Sequence, residues 1–163
     1  RLAGGTGLPL VVMHMKGTPR TMQEAPWYED VVGEVDQFFR ERIQALTEAG
    51  VAREQLILDP GLGFGKRTQD NLVLLGQLGR FRHWGLPLLV GPSRKSFLGE
   101  VLGTPPQDRL EGTLAAVVTA VVQGADLVRV HDVEAIDRAR RVVDALVRAD
   151  PVAAAAAQGG ENR

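Results

Sequence analysis

Four short apolar runs, each followed by a helical pattern, are the feature that most constrains how this chain of 163 residues can fold. The runs are LPLVVMHM (8–15), QLILDPG (55–61), LPLLVGPS (86–93) and ADLVRVHD (125–132). Strands that alternate with helices are typical of a parallel sheet with right-handed crossover connections. The sequence therefore predicts an α/β fold built on a parallel sheet, either open or part of a barrel.

Apolar residues spaced by three and four, with a glycine after each of the first three segments, predict the helices. The first ends before Gly50, the second runs from about Asp70 and ends before Gly85, and the third runs from about Arg109 to Gly124. The third is apolar on nearly all sides, so we expect it to be well buried. The fourth begins after Asp132, a plausible N-cap. The apolar positions of the first, second and fourth helices are Val31, Val35, Phe38, Phe39, Ile43, Leu46, Leu72, Leu75, Leu78, Phe81, Ile136, Ala139, Val143 and Leu146.

Composition limits the classes of protein that the chain can belong to. We expect one structural unit over residues 1–149 and a low-complexity, disordered tail over 150–163. The net charge of -1 gives no general attraction to nucleic acid or anionic membranes, and the absence of cysteine excludes disulfides and thiolate metal sites. No apolar run reaches the roughly 18 residues that cross a bilayer. The first residue is not methionine, which suggests that the chain starts within a longer protein.

Polar side chains stand at the end of all four predicted strands. His14 ends the first, Asp59 the second, the SRKS segment (93–96) follows the third, and Arg129 and His131 finish the fourth. Ligands bind at the carboxyl ends of strands in parallel α/β folds. For one strand alone a solvated loop is the better interpretation, but four such ends together predict a functional site.

The glycine-rich segment DPGLGFGKR (59–67) resembles a nucleotide-binding loop only superficially. A P-loop would need glycine in place of Pro60 and a hydroxyl residue in place of Arg67, and the dinucleotide motif would need glycine in place of Lys66. What remains is a loop whose backbone can approach a flat ligand closely, with Phe64 to pack against it. A plain tight turn would explain two glycines, but it explains Asp59, three glycines and Phe64 together less well.

Arg129 and His131 lie two residues apart on one strand, so they project from the same face. With Lys95 from the neighbouring strand end, they could converge on an anion such as a phosphate. The alternative is a structural clamp in which Arg129 pairs with a nearby carboxylate, and spacing does not decide between the two. The candidate carboxylates are Asp126, Asp132 and Glu134. We favour a packed strand histidine over a metal ligand for His14, because no second candidate ligand lies at a sequence spacing typical of metal sites.

Four motifs in order carry a family resemblance: VVMHMKGTPRTMQ, LILDPGLGFGK, LLVGPSRKS and RVHDV, with RLEGTLAAV between the last two. The set closely resembles the dihydropteroate synthases, enzymes of folate biosynthesis, over about residues 8–148. That family is a (β/α)₈ TIM barrel, and the motifs are similar to its strands five to eight. A barrel takes roughly 250 residues. The resemblance therefore implies that residues 1–149 are the C-terminal half of a pterin-binding barrel, four βα units whose open sheet edges would favour association or poor solubility.

The resemblance also implies a reaction and the residues that serve it. The reaction condenses 4-aminobenzoate with (7,8-dihydropterin-6-yl)methyl diphosphate, giving dihydropteroate and pyrophosphate. Residue by residue, the resemblance implies catalytic roles for Lys95, Arg129 and His131, a pterin site of Asp59, Lys95, Met13, Gly63 and Phe64, a 4-aminobenzoate site of Phe64, Lys95 and Ser96, and a pyrophosphate site of Arg129 and His131. It implies Mg²⁺ whose protein ligands lie in the missing N-terminal half and not in this chain, a cytoplasmic location, and a homodimer of the complete protein. On this view the chain alone is inactive.

Two other functions remain open. A methyltetrahydrofolate-binding domain of a corrinoid-dependent methyltransferase would share a pterin-binding aspartate but would have no use for a pyrophosphate site, so SRKS and RVHDV argue against it. A non-catalytic fragment that binds pterin or phosphate is the other alternative.

Overall fold

Four short parallel strands, adjacent in chain order, form the centre of the fold. The computed structural model describes residues 5–22 and 24–149, so the predicted tail lies outside the described residues. The strands are β1 (Leu10–Met13), β2 (Leu56–Asp59), β3 (Leu89–Val90) and β4 (Leu127–Val128). β1 pairs with β2 and β3 pairs with β4, both in parallel. A parallel bridge between Leu58 and Leu88 joins the two pairs. The predicted parallel sheet is confirmed, but its regular strands are shorter than the apolar runs suggested.

In the described part of the chain, five α-helices follow or connect the strands. They are α1 (Val31–Glu48), α2 (Thr68–Gly76), α3 (Ser96–Leu102), α4 (Leu110–Val122) and α5 (Val133–Ala149). Asp30 caps α1, because its carboxylate accepts from the backbone N–H groups of Val32 and Gly33 at 3.1 Å. Gly50 follows α1 with a φ of +87°, as predicted for a residue that ends a helix in the left-handed region.

The second predicted helix is wrong in its extent. The structure has α2 up to Gly76 and then a separate 3₁₀ helix over Leu78–Trp84, rather than one helix from about Asp70 up to Gly85. Leu78 and Phe81 are nevertheless fully buried, whereas Leu72 is exposed. A spacing of three residues fits a 3₁₀ helix as well as an α-helix, so the apolar pattern could not distinguish them.

The last helices depart from the predictions in smaller ways. α3 was not predicted at all and begins directly after Lys95. α4 buries one face through Ala116, Val117 and Ala120, but Val122 is 63% exposed, so this helix is not buried on all sides as expected. In α5 Leu146 is 67% exposed and does not face the core.

The core lies between the sheet and the helices. Its fully buried side chains are Val35, Phe39, Leu56, Leu58, Leu62, Leu74, Leu78, Phe81, Leu88, Val90, Phe97 and Val117. Within the described ranges the outer edges of β1 and β4 have no strand partner, and Val11 and Leu127 are exposed there. The association expected from these edges stays a prediction. In the same ranges no helix is both long and apolar enough to span a bilayer.

Candidate functional site

A cavity of about 350 Å³ opens at the carboxyl ends of β3 and β4. It is lined by Gly91, Ser93, Lys95, Arg129, Val130 and His131. The sheet ladder continues into Arg129, whose backbone N–H donates to the carbonyl of Val90 at 2.9 Å. The structure thus brings together Lys95, Arg129 and His131, as the sequence predicted, and Arg129 and His131 share a face.

Arg129 forms no salt bridge with any described residue, and each carboxylate proposed for a clamp has another partner. Asp126 accepts from the backbone N–H of Leu88 at 2.8 Å, and Glu134 pairs with Arg138 at 2.9 Å. Asp132 binds Arg94 through two hydrogen bonds of 3.1 and 2.5 Å. The alternative of a structural clamp through Arg129 therefore finds no support in the geometry, and its guanidinium faces the cavity as a cation.

The turn that carries the SRKS segment is fixed from several sides. Arg94 has a φ of +56°, a conformation that non-glycine residues rarely adopt, and its backbone N–H donates to the hydroxyl of Thr113 at 3.1 Å. Arg109 donates to the carbonyls of Arg94 and Lys95 at 2.9 and 3.3 Å. Asp132, the predicted N-cap of the last helix, supplies its carboxylate to Arg94. Of the two cations in the segment, Arg94 is therefore structural and Lys95 enters the cavity.

A buried serine orients the cavity histidine. The hydroxyl of Ser93 accepts from the backbone N–H of His131 at 3.1 Å and shares a hydrogen bond of 2.8 Å with Nδ1 of the same residue, in which either atom can be the donor. Because Nδ1 is engaged by Ser93, Nε2 is the ring nitrogen left for a ligand.

Lys95 connects the cavity to the glycine-rich loop after β2. Its ammonium lies 4.0 Å from the ring centroid of Phe64, within the range of a cation–π contact. Its aliphatic stem crosses Gly63, where an added Cβ would stand only 3.0 Å from Cδ of Lys95. Burial, and then the charge of Arg129, lower the pKa of Lys95.

Asp59 stands at the end of β2 as a buried carboxylate. Its Oδ1 accepts from the backbone N–H of Gly61 at 2.7 Å. Burial raises the pKa of Asp59, while the bond to Gly61 and the positive charges of Arg129, Lys66 and Lys95 act in the opposite direction. The carboxylate thus faces the same cations as the cavity and has a second oxygen for a polar ligand.

The glycines of the loop are required by close contacts within the chain itself. A Cβ on Gly61 would stand 1.9 Å from the carbonyl oxygen of His14, and one on Gly65 would stand 2.2 Å from that of Lys16. Both glycines also have positive φ. They allow the loop to pack against the segment that follows β1, and only Gly63 borders the side chain of Lys95. The approach of the loop backbone to a flat ligand stays a prediction.

Sequence reasoning missed Lys66, which is 4% exposed at the centre of this loop. Its ammonium lies 2.9 Å from the carbonyl of Gly61, 3.1 Å from that of Phe64 and 2.9 Å from Nδ1 of His14. Burial lowers the pKa of Lys66 to about 7, although Asp59 and Asp70 oppose the shift. Asn71 is a second buried polar residue without a sequence prediction, and its Oδ1 accepts from the backbone N–H of Gly63 at 2.6 Å.

The remaining predicted residues lie around this centre. His14 is buried against the edge of the Phe38 ring at 5.0 Å between centroids, which agrees with a packed strand histidine. Burial, followed by the charges of Lys66 and Lys16, lowers the pKa of His14 to about 3. Met13 is half-buried beside Gly61. Ser96 begins α3, is exposed and does not line the 350 Å³ cavity.

In residues 5–22 and 24–149, no group of three or more His, Cys, Asp or Glu side chains could hold an ion. The resemblance places the protein ligands of Mg²⁺ outside this chain, and that expectation stays a prediction.

A cationic cavity beside a buried carboxylate, at the carboxyl edge of a parallel sheet, suits a ligand with an anionic group and a polar ring. The chain belongs to the pterin-binding enzyme family, whose profile, described as pterin binding enzyme, matches residues 1–131.

Within that family the chain is similar to dihydropteroate synthases. It is 52% identical to the Escherichia coli K12 dihydropteroate synthase over 147 residues, which cover 90% of this chain and 52% of that protein. The Yersinia pestis dihydropteroate synthase, solved in a sulfonamide drug complex, superposes with a TM-score of 0.88 at 46% identity and covers 90% of this chain and 54% of its own. The Xanthomonas albilineans enzyme, solved with 7,8-dihydropteroate, has a TM-score of 0.83 at 44% identity over 91% and 52% of the two chains. The chain thus spans about half the length of these relatives.

Proposed function

We propose that this chain carries the pterin and pyrophosphate half of a dihydropteroate synthase active site. One observation above all supports the proposal: Lys95, Arg129 and His131 line one cavity beside the buried carboxylate of Asp59. The same cavity favours a synthase over a methyltetrahydrofolate-binding methyltransferase domain, because only the synthase releases a pyrophosphate.

The proposed roles follow from charge and position. Asp59 accepts hydrogen bonds from the pterin ring, which packs near Met13, Gly63 and Phe64. Arg129 offers a planar fork of donors to the diphosphate oxygens, and His131 adds its Nε2–H. Lys95 stands between the two regions. Strands five to eight of a (β/α)₈ barrel are the part of the complete fold that we assign to β1–β4.

The chemistry needs a stabilised leaving group more than a strong base. The bond between the pterin methylene carbon and the diphosphate oxygen breaks, a bond from carbon to the nitrogen of 4-aminobenzoate forms, and the nitrogen loses a proton to the departing pyrophosphate or to water. Cations preorganised around the leaving pyrophosphate lower the barrier, because negative charge accumulates there. We assign the aminobenzoate to Phe64, Lys95 and the exposed Ser96, and positioning of this weak nucleophile supplies the rest.

The proposal extends to the complete protein. We propose that it is a cytoplasmic homodimer that uses Mg²⁺, and that the 163-residue chain alone does not turn over, because half of a barrel site gives a bound pterin only part of its enclosure. A non-catalytic pterin- or phosphate-binding role would share the ligands but not the reaction. Measuring pyrophosphate release from the chain alone, and from the complete protein, separates these possibilities.

Titration calorimetry with inorganic pyrophosphate tests the anion site directly. Arg129→Ala should weaken binding roughly tenfold to a hundredfold, the usual range for losing hydrogen bonds from a charged group. Arg138→Ala is the matched control, because Arg138 is an exposed arginine of α5 paired with Glu134. Equal pyrophosphate affinity in the two variants would refute the assignment of Arg129.

A further inference from the structure

The buried ammonium of Lys66 is fully engaged by three acceptors. An ammonium has three N–H donors, and here they meet the carbonyl oxygens of Gly61 and Phe64 and the Nδ1 of His14, all within 3.1 Å. A buried cation costs a large desolvation energy unless it is paired in this way. Below the pKa of Lys66 at about 7, where this side chain is charged, the arrangement therefore requires the neutral His14 ring to be unprotonated at Nδ1.

The three contacts join two strand ends. Gly61 and Phe64 belong to the loop after β2, and His14 follows β1. The loop cannot move closer to β1, because Gly61 already lies against the carbonyl of His14. The ammonium of Lys66 also fixes the loop by donating to two of its carbonyl oxygens. The loop is therefore held both by the close contact at Gly61 and by Lys66.

Lys66 binds the backbone of the two residues that place Asp59 and Phe64, the ligand-facing groups of this region. The backbone N–H of Gly61 orients the carboxylate of Asp59, and the carbonyl of the same residue is held by Lys66. The carbonyl of Phe64 is held as well, and its ring lies beneath the ammonium of Lys95. A loop released from Lys66 would lose the relative placement of Asp59 and Phe64 while leaving Arg129 and His131 untouched.

We propose that Lys66 is a positioning residue for the ring-binding part of the site, which fixes Asp59 and Phe64 through the loop backbone without touching a ligand. This proposal rests on the proposed function for the identity of the ligand, a pterin. The contacts to Gly61, Phe64 and His14 stand independently of it.

The test compares two ligands in one variant. Lys66→Met keeps the length of the side chain and removes its donors, so 6-hydroxymethylpterin, followed by its own fluorescence, should bind at least about tenfold more weakly, while inorganic pyrophosphate keeps its affinity within about twofold. The control is Lys16→Met, which removes a half-exposed lysine paired with Glu34 at 2.9 Å and should leave both affinities unchanged. Unchanged pterin binding in Lys66→Met would overturn the proposal, and so would an equal loss of both ligands.

A second measurement needs neither a variant nor a ligand. At about pH 5, between the pKa of His14 at about 3 and that of Lys66 at about 7, the nitrogen shifts of His14 in the unsubstituted chain labelled with ¹⁵N-histidine should show Nδ1 unprotonated and Nε2 protonated. The opposite tautomer at this pH would overturn the proposal even if Lys66→Met fails to fold, because a protonated Nδ1 cannot accept from an ammonium. If the unsubstituted chain binds neither pterin nor pyrophosphate but shows the expected tautomer, the proposed function fails while the contacts of Lys66 stand.

Discussion

Replacing His14 should make the stability of the chain less sensitive to acid. The pKa of this buried ring is about 3 in the folded chain, against an ordinary value of 6.5. Between these values the unfolded chain binds a proton that the folded chain does not, so the free energy of unfolding falls as the pH falls. One pKa unit corresponds to about 1.4 kcal/mol, so acidification from neutral pH to about pH 4.5 should cost about 3 kcal/mol through this ring alone. That is a large part of the stability of an ordinary domain.

Urea unfolding at several pH values, followed by circular dichroism, measures this cost. His14→Asn removes the titrating ring and keeps an acceptor oxygen near the position of Nδ1 for Lys66. Between neutral pH and about pH 4.5, the unsubstituted chain should lose about 3 kcal/mol more stability than the variant. His83→Asn is the control, because that histidine lies on the surface beside Asp36, and it should retain the pH dependence of the unsubstituted chain. Parallel pH profiles for the chain and His14→Asn would refute the reasoning.

Three further predictions concern the framework of the site, and thermal unfolding measures each. Gly61→Ala should destabilise the chain far more than Gly85→Ala, because both glycines have positive φ but, of the two, only Gly61 faces a backbone atom. The left-handed conformation alone costs about 1 to 2 kcal/mol, so similar losses of stability in the two variants would contradict the close approach at Gly61. Tyr28→Phe should cost about 1 to 3 kcal/mol, because the buried hydroxyl donates to the carbonyl of Gly65 at 2.7 Å; an unchanged melting temperature would mean that water replaces this donor. Asp132→Asn should lower the melting temperature without weakening pyrophosphate binding, and a loss of affinity at full stability would place Asp132 in the anion site.

Local patterns were sufficient to predict the parallel sheet and the convergence of Lys95, Arg129 and His131 on one cavity. β-branched and leucine-rich runs separated by helices predicted parallel strands, and Arg129 and His131 shared a face because side chains alternate along a strand. Lys95 met them because consecutive parallel strands end at the same edge of the sheet. These conclusions depend on spacing within a segment and on chain order, which a sequence displays directly.

What the sequence could not predict depends on contacts between segments. Lys66 has no distinguishing local pattern, and its burial follows from acceptors on two different loops. Gly61 and Gly65 suggested close approach, but only the tertiary structure identifies the backbone of His14 and Lys16 as what approaches. α3 has seven residues, too few for a periodic pattern, and Gly103 after it was the one available signal.

The ion pair between Arg94 and Asp132 also keeps the carboxylate of Asp132 away from Arg129. Two arginines stand near the end of β4, and Asp132 is bound by the one that does not line the cavity. A carboxylate released by the loss of Arg94 would have Arg129 as its nearest alternative in sequence, and a pair between them would neutralise the charge that we propose attracts an anion. A substitution of Arg94 would then have the same effect as a substitution in the binding site, because the carboxylate of Asp132 would compete with the ligand for Arg129.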